Sequence, residues 1–213
     1  MKYLLFLFSG VLFFYSCTEH NNQEEKPPEQ SSKFEVKWFG ALKNMMHKGD
    51  ISAKVDLEEL KEIKHVYAIG AIENLKGEIQ IFNGEPFNTS VKDSTIVFDK
   101  TFNKKATLLV YSIVENWNSF EIPDNIVTHK ELEKYIANIA EQNGININEP
   151  FPFLIEGTIS AFDWHVIDWA DGDTVHSHEK HVDSGLNGTI ENRDVALLGF
   201  YSNSHHAIFT HHT

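Results

Sequence analysis

The sequence predicts a mixed α/β (α+β) domain made mostly of strands, with one well-defined helix. Two observations lead to this fold class. Apolar runs of strand length recur along the chain and are separated by turn-forming residues. The strongest of these runs lie within Val66–Pro86, which holds two of them, and at Thr107–Val114 and Val195–Tyr201. One segment, beginning at Thr128, instead has the 3.6-residue periodicity of an amphipathic helix.

The segment from Val66 to Pro86 predicts a strand, a turn, a second strand and a tight hairpin. Asn83-Gly84 is the strongest two-residue hairpin signal in the chain, because both residues tolerate the positive φ of a type I′ turn. Glu78 follows the turn residue Gly77 and begins a strand. A carboxylate at this position points either into a cleft or into water.

The helix is predicted from its caps as well as from its periodicity. Thr128 and Glu131 form a capping-box pattern, and Gly144 closes the segment. The apolar residues at i, i+3, i+4 and i+7 are Leu132, Tyr135, Ile136 and Ile139. Further predicted elements are strands at Phe34–Trp38, Phe87–Phe98 and Phe151–Ile159, a short helix at Leu42–His47 closed by Gly49, and another short helix beginning at Asp56.

Composition limits the classes of function. The 213 residues have an ordinary hydrophobic content of 41% and fit one domain, or two small halves that share a core. The formal net charge of −13 disfavours a nucleic-acid partner. Cys17 is the single cysteine, so the chain has neither an internal disulfide nor a cysteine-based metal site.

The first residues predict a lipoprotein signal peptide over residues 1–16. Lys2 supplies a positive start, and the apolar stretch Leu4–Tyr15 is too short for a transmembrane helix. Ser16-Cys17 resembles a bacterial lipobox, in which the cysteine becomes lipidated; an ordinary signal peptide with a chance cysteine is the alternative. Residues 17–33 form a polar tether, so we expect a domain at 34–213, anchored by lipid to a bacterial membrane in the cell envelope.

Histidines concentrate towards the end of the chain: most of the 12 lie at or after His165. On a strand, His176 and His178 would point to the same face, as a metal-chelating pair requires. Their neighbours Asp171 and Asp183 favour an exposed polar loop as the alternative. After the strand Val195–Tyr201, extended backbone would place His206 and His212 on one face and His205 and His211 on the other.

The segment Gly70-Ala71-Ile72-Glu73-Asn74-Leu75-Lys76-Gly77-Glu78 resembles a motif of the alpha-acetolactate decarboxylases. The resemblance implies largely antiparallel sheets with few helices, arranged as two related halves. It also implies that Glu78 is an active-site carboxylate. The strand-like segments Phe151–Ile159 and Val195–Tyr201 follow the order of elements in that family.

The resemblance further implies a zinc-dependent lyase that converts the 2-hydroxy-3-keto acid 2-acetolactate to acetoin. In that family a strand ending in Gly-Phe, here Gly199-Phe200, precedes a His-x-His pair and a third histidine that bind zinc. The metal candidates here are His176, His178, His205, His206, His211 and His212.

Two departures from the family pattern weaken the expected activity. His165 occupies the region of a substrate-binding arginine and lacks the bidentate guanidinium. The sequence also lacks a clean His-x-His pair, and we expect the metal-binding end to be incomplete at Thr213, with weak zinc binding and slow decarboxylation. A non-catalytic, lipid-anchored metal-binding protein is the alternative function.

Cys17→Ala should abolish lipid anchoring, because no other residue can carry the acyl chains. The full chain should partition with membranes, and the variant should remain unprocessed or appear in the soluble fraction. Membrane fractionation with metabolic labelling by a fatty acid measures both effects, and unchanged fractionation and processing would contradict the lipobox.

Overall fold

A computed structural model describes residues 2–6, 34–175 and 177–209. The strands are β1 (Lys2–Phe6), β2 (Val36–Phe39), β3 (Val55–Asp56), β4 (Val66–Ile72), β5 (Glu78–Phe82), β6 (Glu85–Pro86), β7 (Asn88–Lys92), β8 (Thr95–Asp99), β9 (Lys105–Ile113), β10 (Asn118–Glu121), β11 (Phe151–Val166) and β12 (Leu186–Tyr201). The helices are α1 (Leu42–Lys48), α2 (His129–Gln142) and α3 (His178–Asp183), and 3-10 turns occupy Leu57–Leu60 and Glu73–Leu75.

The larger sheet has the order β2-β9-β4-β5-β7-β8, with β3 added to β9 and β6 to β5. All of its pairings are antiparallel. Alternate residues of β4, β5 and β9 point to one face and form its core, including Ala68, Ile81 and Leu109, which are fully buried. The opposite face of the same strands is therefore available to form a site.

The predicted hairpin at Asn83-Gly84 is confirmed. Both residues have positive φ, 51° and 85°, and they join Phe82 to its partner Glu85. The same register continues past this turn, where the Phe87 N–H donates to the Gln80 carbonyl at 2.7 Å. It ends with Glu78 directly opposite Thr89.

The smaller sheet has the order β10-β1-β11-β12. β11 and β12 are both 16 residues long and pair in one register from Phe151↔Tyr201 to Val166↔Leu186. α2 covers this sheet by packing Ile136 and Ala140 against Phe151 and its neighbours. The capping box of Thr128 and Glu131 that begins α2 is confirmed.

β1 places the first residues of the predicted signal peptide between β10 and β11, antiparallel to both. Removal of residues 1–16 would leave the facing backbone groups of β10 and β11 without this strand. Cys17 and the predicted tether lie outside the described residues. Among the described residues, no helix has the length and apolar character needed to cross a bilayer.

Two local predictions were wrong. The stretch Phe87–Phe98 is a hairpin rather than one strand, because Asp93 and Ser94 take positive φ values of 49° and 59° and reverse the chain. The short helix predicted from Asp56 is a 3-10 turn, although Asp56 caps it as expected by accepting from the Glu58 N–H. The short helix α1 and its closure by Gly49 are confirmed. The mixed, largely antiparallel α+β fold as a whole is confirmed as well.

The turn between β4 and β5 joins the larger sheet to the end of β11. The Trp169 N–H donates to the Leu75 carbonyl at 3.0 Å, and Lys76 Nζ contacts Asp168 at 3.1 Å. Leu75, Ile167 and Trp169 also share one buried apolar cluster. These contacts fix the position of Glu78 relative to the residues that follow β11.

Gly77 is required at the start of β5. Its φ is +136°, and a Cβ built there would lie 2.0 Å from the Thr89 carbonyl oxygen. Any side chain would therefore separate β5 from β7, immediately beside Glu78.

Gly77→Ala should destabilise the chain more than Gly172→Ala. Gly172 also has a positive φ, +77°, but a Cβ there meets nothing within 4 Å, so its variant pays only the backbone strain of about 1–2 kcal/mol. The steric overlap at Gly77 should add about 1–3 kcal/mol. Denaturant unfolding compares the two variants, and equal losses of stability would show that the β5–β7 contact does not require glycine.

Candidate functional site

A cavity of about 420 Å³ lies between the second face of the larger sheet and the end of β11. Most of its lining is apolar. The polar residues of its described lining are Glu78, Gln80, Asp163 and His165. The apolar lining comprises Leu42, Met45, Ile69, Gly70, Ala71, Leu75, Ile79, Leu108, Val110, Phe162, Trp164, Ile167 and Phe209.

Strand register explains the sheet side of the cavity. Residues directly opposite one another in antiparallel strands point to the same face. Ala71 lies opposite both Glu78 and Leu108, which gives one row across the sheet. A second row, two residues further along the strands, consists of Gln80, Ile69 and Val110.

Glu78 has the most perturbed environment in this cavity. Its Oε1 accepts one hydrogen bond, from the Ile167 N–H at 3.1 Å. Burial raises the pKa of Glu78 from 4.5 to about 7, and the Ile167 N–H opposes that rise only in part. The carboxyl group is therefore close to half protonated at neutral pH, so it can give or take a proton there.

His165 and Asp163 lie on the other wall, near the end of β11. His165 Nε2–H donates to the Ser184 carbonyl, and Asp163 Oδ1 accepts from the Thr189 hydroxyl at 2.6 Å. The structure thus brings Glu78 and His165 to the lining of one cavity.

The histidines after Tyr201 do not lie on a strand, so the expected alternation of faces is wrong for the described part of this segment. Its residues form turns, and Ala207 has a positive φ of 58°. His205 packs its ring against Trp38 and Phe209, with centroid distances of 5.3 and 5.8 Å. His206 is exposed. His211 and His212 lie outside the described residues.

The strand on which His176 and His178 would share a face is not found at His178. His178 is the first residue of α3, and Ser177 caps that helix by accepting from the Lys180 N–H at 3.1 Å. His176 lies outside the described residues. Helical backbone at His178 removes the two-residue alternation on which the chelating pair depended.

The described donors do not fit a zinc site. After Gly199-Phe200, where the resemblance expects His-x-His, the chain has Tyr201 and Asn203, whose side chains bond each other at 2.8 Å. Ser202 donates to the Asn148 carbonyl at 3.0 Å, so His205 Nδ1–H donates to Ser202 and Nδ1 is not available to bind a metal. No group of three His, Cys, Asp or Glu side chains converges within the described ranges.

Several cavity residues were not predicted from sequence. Gln80 follows Glu78 by two residues, so strand alternation could have identified it. Asp163 and Phe162 lie beyond the end predicted for their strand at Ile159, because β11 continues to Val166. Phe209 reaches the cavity from the turns after β12, and no local pattern signals that contact.

The fold matches solved acetolactate decarboxylases. The structure of alpha-acetolactate decarboxylase from Bacillus subtilis strain 168 is similar with a TM-score of 0.60 and 16% identity, covering 81% of this chain and 70% of that chain. Acetolactate decarboxylase from Bacillus subtilis subspecies spizizenii gives 0.61 and 18%, covering 81% and 71%. A Staphylococcus aureus protein of unknown function similar to alpha-acetolactate decarboxylase gives 0.57 and 15%, covering 78% and 67%.

No family model and no curated protein sequence matches the chain. Identities of 15–18% show a shared fold and nothing finer. The chain therefore has the acetolactate decarboxylase fold that the resemblance implied, and its chemistry has to be argued from its own cavity.

Glu78→Gln should stabilise the chain at alkaline pH and leave it unchanged in acid. The folded-state pKa of about 7 lies above the unfolded value of 4.5, so the native state binds the extra proton and its stability falls as pH rises between them. Glutamine can still accept from the Ile167 N–H without a charge. We expect the variant to gain roughly 2 kcal/mol over the natural chain at pH 8 and nothing at pH 4.

Denaturant unfolding at the two pH values measures this difference. Glu85→Gln is the matched control, because Glu85 is exposed on the same hairpin. A Glu78→Gln variant with the same pH dependence as the natural chain would show that the carboxylate is well solvated.

Proposed function

We propose that the cavity binds a small 2-hydroxy-3-keto acid such as 2-acetolactate and that Glu78 delivers the proton that completes its decarboxylation. The observation that carries the proposal is the buried Glu78 carboxyl, which is partly protonated at neutral pH and faces a largely apolar cavity. Support comes from the fold, since two of its structural neighbours are acetolactate decarboxylases.

The reaction needs one proton at one carbon. The bond between the carboxyl carbon and the carbinol carbon breaks, carbon dioxide leaves, and the electron pair is delocalised into the neighbouring ketone as an enediolate. Protonated Glu78 then donates to the carbinol carbon, which gives acetoin, and the resulting carboxylate recovers a proton from water. A pKa near 7 suits both steps, because much of Glu78 is protonated and able to donate at neutral pH, and the carboxylate readily recovers a proton afterwards.

The apolar walls assist the loss of carbon dioxide, in which the negative charge of the carboxylate moves into the enediolate. A carboxylate that is moved from water into an apolar cavity loses hydration, whereas the neutral carbon dioxide that leaves does not need it. The polar residues that line the described part of the cavity are few: Gln80 can donate, His165 Nε2–H already donates to the Ser184 carbonyl, and Asp163 accepts from the Thr189 hydroxyl. A single backbone-anchored imidazole is a weak anchor for the substrate carboxylate.

The chain offers no guanidinium to strengthen that anchor. Its one arginine, Arg193, lies in β12 opposite Ile159 and is not among the residues that line the cavity. Lys76 follows the β4–β5 turn, but its ammonium is bound by Asp168 and Asp171. We therefore expect weak substrate binding, and a high KM rather than a complete loss of chemistry.

Zinc would supply a Lewis acid for the ketone and hydroxyl oxygens in the reaction implied by the resemblance. The described donors do not fit that ion, so the mechanism proposed for this chain uses only Glu78 and the cavity. Membrane attachment through lipidated Cys17 remains part of the proposal and would place the reaction at the cell envelope.

Glu78→Gln should lower acetoin formation by at least about 100-fold, since glutamine cannot deliver a proton. The assay uses the detergent-solubilised full chain with 2-acetolactate, an enzyme-free blank, and Glu85→Gln as the control that should keep the natural rate. Parallel reactions with and without added zinc test whether histidines outside the described residues complete a metal site. A natural chain no faster than the blank in both conditions would refute the proposed activity, and an active Glu78→Gln variant would refute the role of Glu78.

A further inference from the structure

Thr89 is a buried polar residue that the mechanism above does not use. It lies directly opposite Glu78 in the β5–β7 pairing, and it is 8% exposed. Within the described part of the chain its hydroxyl oxygen has no hydrogen-bond partner. A buried hydroxyl without a partner destabilises a folded protein, so its presence beside the candidate acid requires an explanation.

The register places the two side chains on the same face of the sheet. The pairs Phe82↔Glu85 and Glu78↔Thr89 belong to one uninterrupted hairpin register, with the Phe87 N–H donating to the Gln80 carbonyl between them. Cβ atoms of such opposite residues lie about 5 Å apart. A glutamate side chain can span most of that distance, and the staggered χ1 rotamers of Thr89 point its hydroxyl in different directions, so this hydroxyl is a candidate donor to the carboxyl group.

Glu78 has one carboxyl oxygen left for this contact. Oε1 accepts from the Ile167 N–H, while Oε2 has no hydrogen bond to any residue that the structure describes. In the protonated acid one oxygen carries the proton, and after proton loss both oxygens are pure acceptors. The ionised form therefore gains more from a nearby hydroxyl donor than the protonated form does.

We infer that Thr89 is a positioning residue whose hydroxyl donates to Oε2 of ionised Glu78 and holds that carboxylate in place between proton transfers. The role in turnover rests on the proposed function, whereas the contact itself does not. Among the described residues, the other charged or titratable groups that line this cavity are Asp163 and His165 on the β11 side. Lys76, next to the turn, is engaged by Asp168 and Asp171 and is not available to stabilise the Glu78 carboxylate.

The contact predicts how the pKa of Glu78 differs between the natural chain and two variants of Thr89. Removing a donor that favours the charged form should raise the pKa of Glu78, and the rise should be about one unit for one charge-assisted hydrogen bond. Thr89→Val removes the hydroxyl and keeps the shape. Thr89→Ser keeps the hydroxyl and should leave the pKa of Glu78 at its natural value.

The measurement is a carbon-13 NMR titration of the full chain carrying labelled glutamate, with Glu78→Gln used to assign the resonance. Ser90→Ala is the matched control, because Ser90 is the next residue on β7 and points to the opposite face. A rise of about one unit in Thr89→Val, with no change in Thr89→Ser or Ser90→Ala, supports the contact. An unchanged pKa in Thr89→Val overturns it, whatever happens to activity.

Turnover separates this inference from the proposed function. If the natural chain forms acetoin, Thr89→Val should shift the pH profile of kcat by the same amount as the NMR titration, and Thr89→Ser should restore it. A pKa shift without any acetoin formation by the natural chain supports the contact and refutes the decarboxylation. Acetoin formation with an unshifted pH profile in Thr89→Val overturns the positioning role.

Discussion

The site depends on the burial of the Glu78 carboxyl. Among the described residues, one backbone N–H offsets the hydration that this carboxyl has lost. The Ile167 N–H lies 3.1 Å from Oε1 and comes from the segment after β11, far away in the sequence. A carboxylate enclosed in this way cannot be stabilised in its charged form as it is in water, so its pKa moves to about 7. Any displacement of Ile167 would change both the hydrogen bond and the enclosure.

The contacts around the β4–β5 turn maintain that geometry. Lys76 is held by Asp168 and Asp171, and the Leu75 carbonyl accepts from the Trp169 N–H. Apolar packing of Leu75 against the same segment adds to these polar contacts. Lys76 thus attaches the β4–β5 turn to the segment after β11, and it does not neutralise Glu78. Glu78 can therefore exchange a proton in a cavity whose described lining has few groups that could bind an anion.

The histidines show why closeness in sequence is a weak guide to a metal site. His205 is fixed by Ser202 and by the rings of Trp38 and Phe209, so it belongs to an aromatic cluster at the edge of the cavity. His178 begins a helix, and His165 donates to a backbone carbonyl. A metal site needs three donors with their lone pairs directed at one point, whereas the described histidines belong to separate local structures.

The sequence by itself determined the local elements of this protein. Turn residues at Asn83-Gly84, the capping box at Thr128 and the closing glycine of α1 are short-range signals, because each depends on the φ preference or the hydrogen-bonding capacity of neighbouring residues. The same kind of signal placed Glu78 at the start of a strand, and a motif around it indicated the fold. These features needed no knowledge of distant contacts.

Only the tertiary structure decided what Glu78 and the histidines face. The pKa of Glu78 depends on Ile167, which is separated from it by 89 positions, and the role inferred for Thr89 depends on the register of a hairpin. The continuation of β11 to Val166 brought Asp163 and His165 to the cavity, and the alternating residues Phe162–Val166 fit a strand although none was predicted beyond Ile159. Burial and convergence are properties of several segments together, so the pattern of any one segment cannot determine them.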